Sequence, residues 1–543
     1  MFTSKIIENN EKINEIDKLK RLRSTIDSRL RTEKTEIGKI EYVNFQDRFE
    51  TISSDANFVI YGRRGSGKTT LLLALEQNIS PKSSTVYIDC EKCKNFTYPN
   101  TLIFLLLQII KDIKKLKSRP LANLIFKKNK DLIELENKLK RLFGDSDVKD
   151  ISIKDEMIER TVGRTGIKFA ETVDIASLEK GKSNIKTKQF VHSLEKIRVL
   201  EHELTEFQEV MKKYIKNLNK KAFFILLDDF YFVNKEDQPK IIDYVHRLCK
   251  NSNLYYKLAT VKHRSKLYEK SDNKIFGIKE KMDFQSIDLD YTLENFNLTE
   301  EFLSSISNDI LSKANLDKES IFIKGNNGFP RLVWASGGVP RDFLNIFRYC
   351  IDAMINSNNF SKIDKKQINS SSQKYFSDKL SELDTKDYSK GKVQNLFQKI
   401  HDFCIELHKR TAFLIRQTNV SKTEIQEHFN DLIDLRFIHL AKKGVTVKKR
   451  QGEIFNAYIL DIGNYALELP LQSKKIQEIN ILREFKAKHD SEFRINTPIL
   501  EWAELEKVEE KITEKRKEQE KKSKKQKVKP SEQLAQTKLD LNL

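Results

Sequence analysis

Residues 62–69 read Gly62-Arg63-Arg64-Gly65-Ser66-Gly67-Lys68-Thr69 and fit the pattern G-x-x-x-x-G-K-[ST]. Glycines permit the tight turns in which successive backbone N–H groups converge on phosphate oxygens. Lys68 can reach the β- and γ-phosphates of a nucleotide, and the hydroxyl of Thr69 can bind Mg²⁺. The stretch therefore predicts a P-loop that binds ATP together with Mg²⁺.

The residues on either side of this loop fit the structure that a P-loop needs. Residues 58–61 form a short apolar run, which is typical of a buried parallel strand. Thr69 and Thr70 open an apolar stretch that predicts a helix, and the positive end of that helix would face the phosphates. We therefore take residues 62–70 as the nucleotide-binding segment; the alternative is a glycine-rich turn that binds no nucleotide.

A second site signal lies further along the chain, where the apolar run 222–227 ends in Asp228 and Asp229. A P-loop enzyme needs a carboxylate at such a strand end to hold Mg²⁺, which we assign to Asp228. A neighbouring carboxylate can orient or deprotonate the attacking water, and we assign that task to Asp229. The alternative for both residues is a solvated strand end.

The pattern along the chain predicts five segments. They are a charged helical segment at 1–40, a P-loop ATPase core at 41–290, a helical lid at 291–385, a winged-helix-like domain at 386–470 and a charged, partly disordered tail at 471–543. Strands are predicted at 85–89, 222–229, 255–261 and 284–289. The core contains a long insertion at 94–218, with helices near 101–116 and 131–142, a strand-like segment at 151–185 and a long helix at 189–218.

The segment 386–470 has the order of elements found in a winged helix. Helix 393–407 and a short strand at 413–415 precede a helix capped by Ser421, with Glu424 completing a capping box. Two strands follow at 436–440 and 454–460. The loop predicted between them carries Lys442, Lys443, Lys448, Lys449 and Arg450. These side chains are candidates for contacts with DNA phosphates, and a solvated hairpin tip is the alternative.

Composition limits the classes of partner and compartment. The net charge of +20 favours a polyanionic partner such as nucleic acid, although a lysine-rich solvated surface explains it as well. The longest apolar stretch, 102–107, is too short to span a bilayer, and the chain begins without a signal pattern. We therefore expect a cytoplasmic protein.

Five cysteines are too few for a disulfide scaffold in a chain of 543 residues. Cys90 and Cys93 form one C-x-x-C pair, and the sequence offers no second pair that would complete a zinc site. We interpret the thiols as unreactive, with a redox or metal role as the alternative.

Residues 41–470 resemble the AAA+ ATPases of the origin recognition complex type. Beside the P-loop and the acidic strand, Gly338-Val339-Pro340-Arg341 resembles the sensor 2 motif, in which a lid arginine contacts the γ-phosphate. Thr260 matches the strand end of the sensor 1 residue. The resemblance implies an α/β fold, with a P-loop NTPase (AAA+) parallel sheet, a helical lid and a C-terminal winged helix. The alternative for Arg341 is a salt bridge at the start of a helix.

Three features depart from that family. The acidic pair is Asp228-Asp229 and not Asp-Glu, which predicts slow hydrolysis and is similar to the STAND class of signalling and defence ATPases. Thr260-Val261-Lys262-His263-Arg264 is partly similar to the STAND Thr-x-Arg pattern. His263 and Arg264 are therefore sensor candidates; Arg264 is either an arginine finger or a surface charge. The winged helix lacks one helix of the usual core, which weakens the prediction of DNA recognition.

Two hypotheses about function follow. The first is an ATP-driven AAA+ switch that acts on double-stranded DNA through the winged helix, or closes a homo-oligomer whose neighbouring subunit completes the site. The second is a STAND-like regulatory ATPase that binds protein partners through the insertion at 94–218 and gates a separate effector. The tail sequence Gln536-Thr537-Lys538-Leu539-Asp540-Leu541 is similar to peptides that bind bacterial sliding clamps, with an amphipathic tail as the alternative.

Overall fold

The computed structural model describes residues 2–31, 41–115, 130–144, 178–271, 274–323, 327–357, 362–383, 390–417, 424–448, 450–466, 469, 476–479 and 492–518. Ser421, Lys449, the segment 536–541 and residues 151–177 of the predicted strand-like segment lie outside these ranges. The described chain divides into two compact units, which we name the P-loop unit (Thr32–Asp290) and the C-terminal unit (Met1–Arg31 with Tyr291–Leu543). The finer domain bounds given above stay predictions.

The P-loop unit is built on a sheet of five parallel strands. They are β1 (Phe58–Tyr61), β2 (Ser83–Asp89), β3 (Ala222–Asp228), β4 (Leu254–Thr260) and β7 (Gln285–Asp288), in the order β2-β3-β4-β1-β7. The pattern of apolar residues predicted a strand at each of these places, and the α/β fold class is confirmed. In parallel sheets of this kind ligands bind at the carboxyl ends of the strands. The P-loop and Asp228 follow β1 and β3 at that edge.

Six helices accompany this sheet within the described residues. They are α2 (Arg48–Ile52), α3 (Lys68–Asn78), α4 (Asn100–Lys115), α5 (Lys130–Gly144), α6 (Leu178–Asn217) and α7 (Gln238–Cys249). The two amphipathic helices predicted in the insertion are present as α4 and α5. The strand-like prediction is wrong at 178–185, because the long helix starts at Leu178. Once a helix is nucleated, each added residue gains a hydrogen bond, and Gly181 does not stop it.

Alternate residues of the strands enter two cores, because successive side chains of a strand point to opposite faces. On one face Phe58 and Phe224 pack with helices α2 and α3. On the other face Val59 and Ile225 pack with the buried sides of α4, α5, α6 and α7. The helices of the insertion, together with α7, therefore cover one face of the sheet. A hairpin of β5 (Tyr268–Ser271) and β6 (Lys274–Gly277), which the sequence analysis did not predict, precedes β7.

One charged side chain lies inside this sheet. Lys257 of β4 is fully buried, and its Nζ donates hydrogen bonds to the carbonyl oxygens of Ser54 (2.8 Å) and Ala56 (2.7 Å). The same Nζ lies 4.7 Å from the ring of Phe58 and 4.6 Å from that of Phe224. Burial lowers the pKa of Lys257 to about 7. The amine thereby fixes the turn that leads into β1.

Replacing Lys257 by Met should change how stability depends on pH. Between pH 7 and 10.5 the unfolded chain binds a proton that folded Lys257 has released, so the wild type gains stability with rising pH relative to Lys257→Met. The slope of this difference should approach about 1.4 kcal/mol per pH unit. Urea unfolding at several pH values measures it. A difference that is constant with pH would show that Lys257 remains charged in the folded protein.

The C-terminal unit contains both ends of the chain and is largely helical in its first part. Its helices there are α1 (Phe2–Leu30), α8 (Phe296–Lys313), α9 (Lys318–Ile321), α10 (Gly328–Ala335), α11 (Pro340–Ser357) and α12 (Lys365–Leu383). A Gly337-Gly338 loop followed by Pro340 predicts a helix start, and the amphipathic pattern at 365–383 predicts a helix; α11 and α12 confirm both. Leu22 and Ile26 of α1 are buried, and Arg23 pairs with Asp352 of α11. No helix among the described residues is long and apolar enough to cross a membrane.

The winged-helix-like part follows. It comprises α13 (Lys390–His401), β8 (Ala412–Arg416), α14 (Glu424–Asp434), β9 (Ile438–Val447), β10 (Arg450–Leu460) and α15 (Ile462–Tyr465), with the antiparallel strand order β8-β10-β9. The predicted basic loop is wrong: Lys442 and Lys443 lie within β9, and Arg450 opens β10. Gly444 and Gly452 adopt positive φ and absorb register shifts, so the ladder continues past the lysines.

The described part of the predicted tail is packed against this sheet. It contains α16 (Glu492–Ile495), α17 (Trp502–Leu505) and a further helical stretch at 508–518. Leu414 of β8 exchanges backbone hydrogen bonds with the segment, accepting from Leu500 N (2.7 Å) and donating to Pro498 O (2.8 Å). The ring of Trp502 lies 5.4 Å from that of Phe429 in α14. The segment thus adds helices to the winged-helix-like part, for which the sequence predicted one helix fewer than usual. The charged composition of residues 505–530 gave no indication of this packing.

Truncating a buried side chain of this segment should therefore destabilise the whole winged-helix-like part. Leu500 is 2% exposed, and Leu500→Ala should cost about 3 kcal/mol because it removes apolar burial and leaves a cavity. Ile495→Ala, at a side chain 62% exposed in the same segment, is the control and should change stability by less than about 0.5 kcal/mol. Thermal unfolding measures both. Equal changes in stability for Leu500→Ala and Ile495→Ala would mean that this segment is not part of the core of the winged-helix-like part.

Candidate nucleotide-binding site

The P-loop connects β1 to α3 in a conformation that requires glycine. Gly65 and Gly67 have φ values of 84° and 96°, in the left-handed region that favours glycine. A Cβ atom at Gly62 would lie 2.3 Å from the Oγ of Ser66, so the loop closes tightly on itself. α3 begins at Lys68, directly after this loop. The spacing read from the sequence therefore produces the turn and the helix start that phosphate binding needs.

Polar groups of the loop point inward. Lys68 is 5% exposed, and its Nζ donates to the carbonyl oxygens of Gly62 (2.8 Å) and Arg63 (3.1 Å). The Oγ of Ser66 is buried without a hydrogen-bond partner among the described residues. Buried polar atoms are nearly always satisfied in native proteins. A bound phosphate would satisfy the Ser66 hydroxyl and give Lys68 a charged acceptor.

Asp228 is the buried centre of the hydrogen bonds at this edge. It is 2% exposed and accepts from the hydroxyl of Tyr87 (2.7 Å) and from the backbone N–H of Asp229 (2.9 Å). Burial raises the pKa of Asp228, and hydrogen bonds from Tyr87 and from the Thr69 hydroxyl oppose the rise. Thr69 and Asp228 thus bring together the hard oxygen ligands that Mg²⁺ prefers. The residues present fit a Mg²⁺ ion at this place.

Asp229 leaves the strand in a left-handed conformation, with φ of 49°. Such a conformation is uncommon for a residue other than glycine and is often found at functional sites. Burial and the neighbouring Asp228 raise the pKa of Asp229 to about 6, against the charges of Lys68 and Arg64. The turn that starts here sends Phe230 into the core and leaves Tyr231 and Phe232 half-buried at the edge.

The two arginines of the P-loop have different partners. The Nε of Arg63 donates to Asp290 at 3.0 Å, and the backbone N–H of Arg63 lies 3.1 Å from both carboxylate oxygens. The guanidinium carbon of Arg64 lies 5.6 Å from the ring centre of Tyr231 and 5.8 Å from that of Phe232. Arg63 therefore anchors the loop to the segment after β7, whereas Arg64 lies beside the turn that follows Asp229.

The end of β4 lies between these elements. Thr260 is paired in register with Tyr61 of β1 and is fully buried, with its hydroxyl 2.5 Å from that of Ser265. His263 and Arg264 belong to the short turn that follows, and both are half-buried. The guanidinium of Arg264 lies 5.8 Å from the ring centre of Tyr231. The structure thus brings the predicted sensor residues Thr260 and Arg264 to the edge that carries the P-loop.

Arg341 lies in the first turn of α11 in the C-terminal unit and is exposed. The next residue, Asp342, is buried and pairs with Arg436 (2.9 Å), and it accepts a hydrogen bond from the hydroxyl of Tyr375 (2.8 Å). Asp342 therefore fixes the start of α11. This role of Asp342 was not predicted from the sequence. The role of Arg341 as a γ-phosphate sensor stays a prediction.

The predicted DNA-contact residues are spread along the hairpin. Lys443 pairs with Glu294 (3.5 Å), and Arg450 pairs with Glu501 (2.6 Å). Lys442 is half-buried, and Lys448 is exposed in the turn. The helix that precedes the hairpin, α14, carries four carboxylates and no lysine or arginine: Glu424, Glu427, Asp431 and Asp434. α14 is therefore acidic, and two of the basic side chains of the hairpin are neutralised by Glu294 and Glu501.

Two residues of the nucleotide site escaped the sequence analysis. Tyr87 precedes Asp89 by two residues in β2, and Asp290 follows Asp288 by two residues after β7. Both contact the site only because their strand ends lie at the same edge as the P-loop. An alternating Tyr-x-Asp or Asp-x-Asp at a strand end is the signal that could have indicated them.

No family model matches the sequence, and no curated protein matches it. Among solved structures, the ORC1 protein of Aeropyrum pernix in complex with DNA is similar to this chain at 12% identity and a TM-score of 0.31, covering 84% of this chain and 92% of that one. Drosophila ORC bound to DNA is similar at 13% identity and a TM-score of 0.33, covering 83% and 91%. Likenesses this remote carry no conclusion about function.

The contacts between Arg63 and Asp290 predict that a residue after β7 affects nucleotide binding by holding the P-loop. Asp290→Ala would leave the buried Arg63 guanidinium without its carboxylate and loosen the loop, so the affinity for Mg·ATP should fall about tenfold. Arg63→Ala removes the ion pair but keeps the backbone N–H bond to Asp290, so it should cost less than Asp290→Ala. The double variant should cost no more than Asp290→Ala, because that substitution already removes the whole interaction. Titration with a fluorescent ATP analogue measures this. Additive losses would show that the two residues act separately.

Proposed function

We propose that the protein is an ATP-binding switch that hydrolyses ATP slowly. The observation that supports this most is the convergence of Lys68, Thr69, Asp228 and Asp229 at the carboxyl edge of one parallel sheet, with Asp228 accepting the Thr69 hydroxyl. Each of these residue types has a task in phosphoryl transfer, and the P-loop Thr and the strand-end Asp are the pair that holds Mg²⁺. The Asp229 side chain is shorter than the usual glutamate, which would slow the reaction.

In this proposal the residues act in sequence on bound ATP. Lys68 exchanges the carbonyl oxygens of Gly62 and Arg63 for phosphate oxygens. Thr69 and Asp228 hold Mg²⁺, which supplies charge neutralisation at the phosphates when bound. Asp229 orients a water and accepts its proton. Arg341 is the candidate that reports the γ-phosphate to α11, and ATP shifts the conformational equilibrium only as far as it binds one arrangement better than the other.

The first test separates binding from turnover. Lys68→Ala should weaken Mg·ATP binding by at least about tenfold, because it removes the cation that faces the phosphates. Asp229→Asn should retain binding and lower turnover by about 100-fold, because it cannot accept a proton. Phosphate release and nucleotide titration measure the two quantities. Glu91→Gln, an exposed carboxylate after β2, is the control. Turnover unaffected by Asp229→Asn would contradict its proposed role.

We further propose that the winged-helix-like part contacts double-stranded DNA through its hairpin. Lys442, Lys443, Lys448 and Arg450 lie along β9, its turn and the start of β10, and they would contact phosphates and not bases. Binding of this kind weakens steeply with salt and depends little on sequence. The finer proposal that ATP controls this contact is testable by comparing DNA affinity with and without Mg·ATP.

A second candidate function is favoured by α14. This helix takes the place of a winged-helix recognition helix in chain order, yet its four carboxylates would be repelled by DNA. An acidic helix beside a partly neutralised hairpin suits a basic protein surface better than a duplex. In that case the chain would be a regulatory ATPase of the STAND-like kind, which gates a separate effector through a protein contact.

DNA binding by the full-length protein at about 50 mM salt distinguishes the two candidates. Lys443→Glu with Lys448→Glu should abolish binding if the hairpin contacts phosphates. Lys366→Glu, an exposed lysine of α12, is the matched control for the charge change. Absence of binding by the wild type, together with a protein partner that is lost in Glu427→Lys, would favour the second candidate.

A further inference from the structure

The P-loop carries adjacent arginines whose side chains are fixed on different neighbours. Arg63 is 6% exposed and is anchored to Asp290 by its Nε and its backbone N–H. The Arg63 side chain therefore stabilises the conformation of the loop. Arg64 is half-buried, and its guanidinium lies beside the turn that begins at Asp229.

Arg64 is positioned by an aromatic pair. Tyr231 and Phe232 stack on each other with ring centres 4.6 Å apart, and they follow Asp229 in the same short turn. The Arg64 guanidinium lies within 6 Å of both ring centres, at 5.6 Å and 5.8 Å. At these distances the ring quadrupoles attract the cation and limit its directions. The left-handed conformation of Asp229 turns the chain so that this pair lies beside the P-loop.

We propose that Arg64 is the catalytic cation of this ATPase, supplied by the same chain that binds the nucleotide, and that Tyr231 and Phe232 are the residues that position it. This inference rests on the proposed ATP hydrolysis. Phosphoryl transfer spreads negative charge over the γ-phosphate oxygens, and an arginine directed at them lowers the barrier. A P-loop residue whose guanidinium is held beside the turn that begins at Asp229 meets that requirement.

The step balances as an ordinary hydrolysis. The oxygen of water forms a bond to the γ-phosphorus while its proton passes to the Asp229 carboxylate. The bond from the γ-phosphorus to the bridging oxygen breaks, and its electron pair leaves with ADP. Arg64 donates hydrogen bonds to the γ-phosphate oxygens as their charge grows and keeps its own protons throughout.

A consequence is that turnover should not require a neighbouring subunit. Arg264, the other candidate for this task, lies 5.8 Å from the same Tyr231 ring. If Arg264 acted in a neighbouring molecule, activity would rise with protein concentration, and an inactive subunit could restore it. A cation supplied in cis predicts that turnover per molecule is constant with concentration.

The experiment measures kcat and KM for ATP with the full-length protein. Arg64→Ala should lower kcat about 100-fold or more and change KM less than about threefold. Tyr231→Ala should lower kcat about fivefold, Tyr231→Phe should restore most of that loss because it keeps the ring, and Tyr231→Ala should add nothing in the Arg64→Ala background. Lys92→Ala removes an exposed positive charge of the turn after β2 and is the matched control.

A mixing experiment tests the cis assignment. Lys68→Ala chains, which keep Arg64 and Arg264, are added to Arg64→Ala chains. No recovery of turnover supports the inference, whereas recovery shows that the cation comes from a neighbour and overturns it. Unchanged kcat in Arg64→Ala beside a wild type that Lys68→Ala inactivates overturns this inference alone. A wild type that binds Mg·ATP without turnover overturns both the inference and the proposed hydrolysis.

Discussion

The parallel pairing of β1, β4 and β3 is the constraint on which the candidate site depends. Because the strands run in one direction, the residues that follow each of them meet at one edge of the sheet. That edge carries the P-loop after β1, Thr260 at the end of β4 and the carboxylates at the end of β3. A one-residue shift in any ladder would turn these side chains to the other face. The pairing of buried residues along the strands therefore determines which side chains meet at the carboxyl ends of the strands.

The parts of this structure that the sequence predicted are those with local signals. The P-loop, the apolar strands and the start of α11 are each decided by a few adjacent residues. Tyr87 was missed because its contact with Asp228 joins residues that are more than 140 positions apart in the sequence. Asp290 was missed for the same reason, since more than 220 positions separate it from Arg63. The hairpin of β9 and β10 was predicted too short because the basic stretch between residues 440 and 454 was taken as a loop. Here glycine bulges extend the ladder beneath them.

Net charge predicted a nucleic-acid partner, whereas the structure shows how unevenly the charge is placed. α14 is acidic, Arg450 is paired with Glu501, and Lys443 is paired with Glu294. At the candidate nucleotide site, by contrast, Lys68 and Arg64 lie near the buried Asp228 and the half-buried Asp229. The positive charges that can act on a bound nucleotide therefore belong to a few residues, each of which is held in place by specific neighbours. Composition reports the sum of all charges, and only the fold decides which of them act together.

The C-terminal unit is discontinuous in sequence, since α1 packs with α8 and α11. During synthesis α1 is made before α8 and α11, so its apolar side chains lack these partners until nearly 300 further residues have been made. At the usual rate of about 5–20 residues per second, this interval lasts about 15–60 s. The P-loop unit can fold during that time. Leu19, Leu22 and Ile26, which are buried in the folded protein, remain accessible to solvent or to chaperones meanwhile. Slow translation of residues 32–290 would lengthen the exposure of this helix.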